Sequence, residues 1–251
     1  MSKFFIMKRK NFILLAACLL LCSCGLYSKP AIPLSGQSAE ATYAVRPFKS
    51  LEVSSALRVL LTDTATTARV IMDSALMPYF VLQTEGDEIK VGFRKGTSWI
   101  GQTTPLVILP WQPTLNDIDV SGASVLELAK TLNVSELDID LSGASVIELS
   151  MQVSDADIDL SGASIARLSG AVRDLDVSVS GASQIAAEKS NEQYNLVVDE
   201  LSGSISGASI VHAHVNQKVD CRISGASMLY LTGNPNTASC SVTGASTIIR
   251  E

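Results

Sequence analysis

The sequence predicts an all-β chain, a right-handed parallel β-solenoid with a β-rich capping part before it. Three observations lead there. Ser-Gly-Ala-Ser begins at Ser121, Ser142, Ser161, Ser180, Ser206 and Ser224, and Thr-Gly-Ala-Ser at Thr243, with spacings of 21, 19, 19, 26, 18 and 19 residues. The stretches around each copy alternate apolar and polar residues, which is the period of a strand. Helix signals and the Leu/Asn spacing of leucine-rich repeats are both missing, although the period of the repeat would suit such a horseshoe.

The amino terminus reads as an address. Lys3, Lys8, Arg9 and Lys10 precede an apolar run over residues 12–22. That run is shorter than the roughly 20 residues a membrane-spanning helix needs, so 1–23 is read as a signal peptide. Leu21-Cys22-Ser23-Cys24 resembles a bacterial lipobox, which makes Cys24 the lipid anchor and the first residue of the mature chain. The plainer alternative is cleavage with Cys24 unmodified. Gly25 follows where an inner-membrane retention Asp would stand, and no acidic run comes after it. Outer-membrane anchoring follows, facing either the periplasm or the cell surface. Residues 24–44, rich in Ser, Pro, Ala and Gly, are expected to form a flexible tether.

Residues 45–114 show short apolar or alternating runs at 51–53, 57–61, 69–72, 80–83, 89–93 and 106–109, separated by turn-forming residues. They are expected to cap the first end of the stack, because stacked repeats need a cover. Charge divides the chain at the same place. Residues 24–114 sum to +1, whereas residues 115–251 carry seven basic against eighteen acidic residues, −11. An acidic mature chain excludes nucleic acid as a partner, since phosphate neutralisation needs Lys and Arg.

In the repeats of 115–251, two columns precede each tetrapeptide and face inward. They are Ile118, Ile139, Ile158, Val177, Gly203, Cys221, Cys240 and Val120, Leu141, Leu160, Val179, Ile205, Ile223, Val242. Gly permits a positive φ at the corner, Ala is small enough to sit inside it, and the hydroxyls can bond to freed backbone groups. A unit of about 19 residues buries no face alone, so the units must stack.

Several groups are candidates for chemistry. Asp117, Asp138, Asp157 and Asp176 should form one outward column, and Asp119, Asp140 and Asp159 a second. Ca²⁺ between rungs is one reading; a solvated, mutually repelling face is the other, because a calcium site needs six to eight oxygens. Cys221 and Cys240 hold equivalent inward positions and could form a disulfide or stay as stacked thiols. His212 and His214 share a strand face without an evident third metal ligand. Trp99 and Trp111 could meet a protein or sugar partner, or pack under the cap. The longest spacing, 26, places its excess at the polar stretch Glu188-Lys-Ser-Asn-Glu-Gln193, either a binding insertion or a tolerated loop. No Ser stands in a nucleophile elbow, and the repeating Asp follow the coil rather than mark one catalytic pair.

The order Val45-x-x-Phe48-x-x-Leu51-x-Val53, Ala68-Arg-Val-Ile-Met-Asp, Gly86-Asp-Glu-Ile-Lys-Val, Leu106-Val-Ile-Leu-Pro and Asp117-Ile-Asp-Val-Ser-Gly-Ala-Ser resembles the auto-transporter adhesin, head GIN domain family, over roughly 45–251. The resemblance implies a β-solenoid in secreted or lipid-anchored proteins of Gram-negative bacteria. It brings no catalytic residue. The expected function is a lipid-anchored, non-enzymatic binding or adhesion module. Its partners would be the membrane through its anchor and an envelope or extracellular protein or glycan, with self-association through the open last coil near 240–250. The alternatives are a periplasmic structural or assembly lipoprotein and a polysaccharide-active β-helix enzyme.

Overall fold

The computed structural model describes residues 30–190 and 193–251. The signal peptide and Cys24 lie outside the described residues. The described residues are all-β, and the single helical turn among them is a 3₁₀ turn at Met77–Tyr79.

Two parallel ladders run through the molecule. In the first, Ser50–Val53 pairs with Asp117–Val120, then come Leu132–Leu141, Val146–Leu160, Ile165–Val179, Leu196–Ile205, Ile210–Ile223 and Ser241–Val242. In the second, Arg58–Thr62 pairs with Val125–Leu128, followed by Val146–Leu160, Ile165–Val179, Gln184–Ala186, Ile210–Ile223, Met228–Thr232 and Thr247–Arg250. Register is set by the alternation, because a one-residue slip would turn every apolar side chain outward. Ile118, Ile139, Ile158, Val177 and Cys221 are all buried, as are Val120, Leu141, Leu160, Val179, Ile205 and Ile223.

The corners explain the tetrapeptide. Each of its glycines has φ between +72° and +84°. The carbonyl of each corner Gly accepts the amide of the Ala one unit later, as Ala163 N–H to Gly143 O at 2.7 Å and Ala226 N–H to Gly207 O at 2.7 Å. The second Ser is the buried one: Ser124, Ser145, Ser164, Ser183, Ser209 and Ser227 are at most 1% exposed. Its hydroxyl donates back to the first Ser carbonyl, Ser145 to Ser142 at 2.7 Å and Ser164 to Ser161 at 2.8 Å. The same oxygen can accept an amide from the preceding unit, as Ser183 does from Ser164 N–H at 3.3 Å. Ala123, Ala144 and Ala163 are exposed, so the expectation that Ala fills the corner is corrected: the smaller demand inside is for a hydroxyl that satisfies backbone.

Two sequence boundaries move. The stack does not start at 115. Ser50–Val53 and Arg58–Thr62 already form one of its layers, and Glu88–Phe93 and Leu106–Pro110 pair beneath them in parallel. Their corner is Ser54-Ser55-Ala56-Leu57, with Ser55 at φ 73° and Ala56 at φ 59° in place of glycine. Antiparallel strands close that end: Phe80–Glu85 against Glu88–Phe93, and Ala68–Asp73 against Leu106–Pro110.

The tether expected over 24–44 also ends early. Ile32–Pro33 pairs with Trp99–Ile100, and Ser38–Tyr43 lies antiparallel to Ala68–Asp73. Between them the Asp73 carboxylate accepts from Ser35 N–H (3.0 Å), Ser35 Oγ (2.8 Å) and Gly36 N–H (2.8 Å). The small polar residues read as slack are there for a tight turn gripped by one carboxylate.

Candidate binding face

The outward positions of the stack carry its chemistry. Register places Asp117, Asp138, Asp157 and Asp176 in one column, and Asp119, Asp140 and Asp159 in another that continues to Glu52 and Ser178. Burial, then Asp157, Asp117 and Glu136, pushes the Asp138 carboxyl above the ordinary range. Asp140 moves the same way through burial and then Asp159, Asp117 and Asp138. Asp119 is raised by burial, Glu52, Asp140 and Asp117, with Lys90 opposing. The column ends are relieved: Lys90 bridges Glu52 at 3.0 Å and Glu88 at 3.2 Å, and Ser202 donates to Asp176 at 2.7 Å. Among the described residues no group of three or more His, Cys, Asp or Glu is arranged to hold a metal ion. Carboxylates stacked on one flat strand face point the same way and cannot enclose an ion that wants six to eight oxygens.

The other groups fall into place around the stack. Cys221 and Cys240 are both free thiols. Cys221 is buried with its Sγ 3.9 Å from Leu201 O, and Cys240 Sγ donates to Val219 O at 3.3 Å. Burial, followed by Cys240, pushes the Cys221 thiol up to about 12. Trp99 and Trp111 are half-buried and pack against the core, with Trp99 5.3 Å from the Phe93 ring. His214 Nδ1 lies 3.0 Å from Thr232 Oγ1, and His212 stacks at 4.8 Å on Tyr230. The two imidazoles are engaged with different neighbours.

The long spacing builds a wall. Lys189–Ser190 pairs antiparallel with Gln193–Tyr194, and Asn195 N–H closes the excursion on Glu188 O at 2.7 Å. Glu188 and Asn195 then border a groove of about 410 Å³, whose other lining includes Glu148, Ser150, Arg167 and Ser169. Glu148 and Arg167 are register neighbours on adjacent strands, and so are Ser150 and Ser169. The groove therefore sets hydroxyls, an amide, a guanidinium and carboxylates beside an apolar strip of Leu128, Ala186 and Ala187. That mix suits hydrogen bonding to a polyhydroxylated or peptide ligand. Sequence reasoning singled out the insertion but not the groove, because Ser150 and Ser169 meet Asn195 only after the chain has folded over.

The chain matches a family described as "Putative auto-transporter adhesin, head GIN domain" over residues 47–235. Among solved structures it is similar to a putative adhesin of Bacteroides fragilis NCTC 9343, with TM-score 0.78 and 17% identity over 88% of this chain and 100% of that one. A putative adhesin of Parabacteroides merdae ATCC 43184 gives TM-score 0.67 and 16% identity over 89% and 100%. A putative lipid binding protein of Parabacteroides distasonis ATCC 8503 gives 0.66 and 16% over 88% and 100%. At these identities the likeness is one of fold. None of the curated proteins matches the chain.

Proposed function

Because the chain belongs to the head GIN domain family, described as putative auto-transporter adhesins, we propose that it is a lipid-anchored, non-enzymatic binding module of the cell envelope. The stacked ladders are read as turns of a right-handed parallel β-solenoid, the hand that parallel crossovers take by default. Cys24 is its anchor in the outer membrane; acyl carbons contribute about 0.8 kcal/mol each on burial. The observation that carries the reading is the groove of about 410 Å³ bordered by Glu188 and Asn195 on the outside of the stack. The interior hydroxyls, by contrast, are committed to the corners. The ligand we assign is an extracellular glycan or protein rich in hydrogen-bonding groups.

Protease treatment of intact cells tests the surface placement. The reading expects cleavage of the wild-type chain on whole cells, and loss of the Cys24→Ala chain from the membrane fraction. Full protection on intact cells, with cleavage only after outer-membrane permeabilisation, would favour a periplasmic structural or assembly role. Arg167→Ala should weaken binding in a glycan and protein array screen; unchanged binding would remove the groove from the account.

A further inference from the structure

Tyr194 gathers groups from three later stretches of the stack. Its backbone N–H donates to Thr232 Oγ1 at 3.3 Å. Its ring lies 5.2 Å from the His212 ring at 58°, and that imidazole stacks on Tyr230 at 4.8 Å and 17°. Its hydroxyl donates to Glu251 Oε2 at 2.7 Å. Although it follows a polar insertion, Tyr194 is only 6% exposed. Burial, and then Glu251, holds its phenol well above the usual range, so it stays a donor at any physiological pH.

The two neighbours of this contact differ in how firmly they are held. Asn195 is pinned on the groove side, its N–H to Glu188 O at 2.7 Å and its carbonyl to Gly170 N–H at 2.9 Å. Among the described residues the last strands, Ser241–Val242 and Thr247–Arg250, pair on one side only, and Val242 is 43% exposed. A terminal layer bound along one edge opens at low cost.

We propose that Tyr194 is a latch, holding the last coil to the wall of the groove. This goes beyond the binding reading and holds whatever the ligand is. Hydrogen exchange of the full chain tests it. Tyr194→Phe and Glu251→Ala should each speed exchange at 241–251 about tenfold, the equivalent of one hydrogen bond to a charged group. The double variant should lose less than the sum of the two single effects, and 138–141 and 157–160 should be unchanged. Tyr194→Ala should also loosen 187–190 and 193–196. Unchanged protection at 241–251, additive effects of the two substitutions, or an equal loss throughout the chain would each overturn the latch.

Discussion

Gly143 rests against the carbonyl of Gly122: a methyl group on Gly143 would fall 2.7 Å from that oxygen. The same close approach recurs at each later corner, so a side chain at any of these glycines would collide with the layer before it. A Gly143→Ala change meets two costs. The φ of +74° alone costs about 1–2 kcal/mol for an L residue, and the backbone clash adds to it. Gly86 has φ +62° with open space around it, so Gly86→Ala meets only the first cost. Urea unfolding should show Gly143→Ala clearly less stable than Gly86→Ala. Equal losses would mean that the layers are not in contact at the corner.

The Asp columns make stability depend on pH in a particular direction. The folded pKa of Asp138 and Asp140 is raised, so the native state holds protons that the unfolded chain releases near the ordinary value of about 3.9. Stability from these groups therefore falls as pH rises from about 4 through the raised values, then levels. Asp138→Asn should stabilise the protein at pH 7 by a few tenths of a kcal/mol after solvent screening, about 1 °C in Tm. The gain should vanish below about pH 4 and shrink in about 1 M salt. A destabilising or salt-independent Asp138→Asn would contradict the repulsive columns.

Asp73 works with the opposite sign. Burial opposes ionisation, but hydrogen bonds from Ser35, Ala75 and Gly36 outweigh it and bring the carboxyl down to about 2. The stability it contributes is present above about 3.9 and is lost as pH falls through about 2. At pH 7, Asp73→Ala should release the strand Ser38–Tyr43, seen as faster proteolysis between residues 30 and 45 with the repeats intact. Cleavage at the wild-type rate would show that the carboxylate does not hold this segment.

The two thiols should react at different rates. Cys221, buried and raised to about 12, should resist alkylation in the native protein, whereas half-buried Cys240 should react first. Mass spectrometry after alkylation with and without denaturant distinguishes them. Equal labelling of both, or a bridge between them in the unreduced protein, would contradict two separate thiols.

The repeat region was legible because one chemical demand recurs at every corner and is met by the same four residues. The columns at Ile118 through Cys221 followed from counting alone. The first layers were not legible for the same reason: Ser54-Ser55-Ala56-Leu57 makes the bend with two positive-φ residues that are not glycine, so the pattern fades while the geometry persists. Ser35-Gly36-Gln37 read as slack because the carboxylate that holds it, on Asp73, is far away in sequence. The groove depends on Ser150, Ser169 and Asn195 meeting across strands, and the Tyr194–Glu251 contact spans 57 residues. Periodicity reports what repeats, and these single contacts do not.

Cysteine pairs placed across the ladder test the stacking most directly. Asp138 and Asp157 are register partners, and neighbouring parallel strands about 4.8 Å apart lie within reach of a disulfide. Asp138→Cys/Asp157→Cys should oxidise to an intramolecular bridge located by peptide mapping, and Asp138→Cys/Ile158→Cys, one residue out of register, should not. Equal bridging of both pairs, or none in the first, would contradict a chain coiled in register on itself.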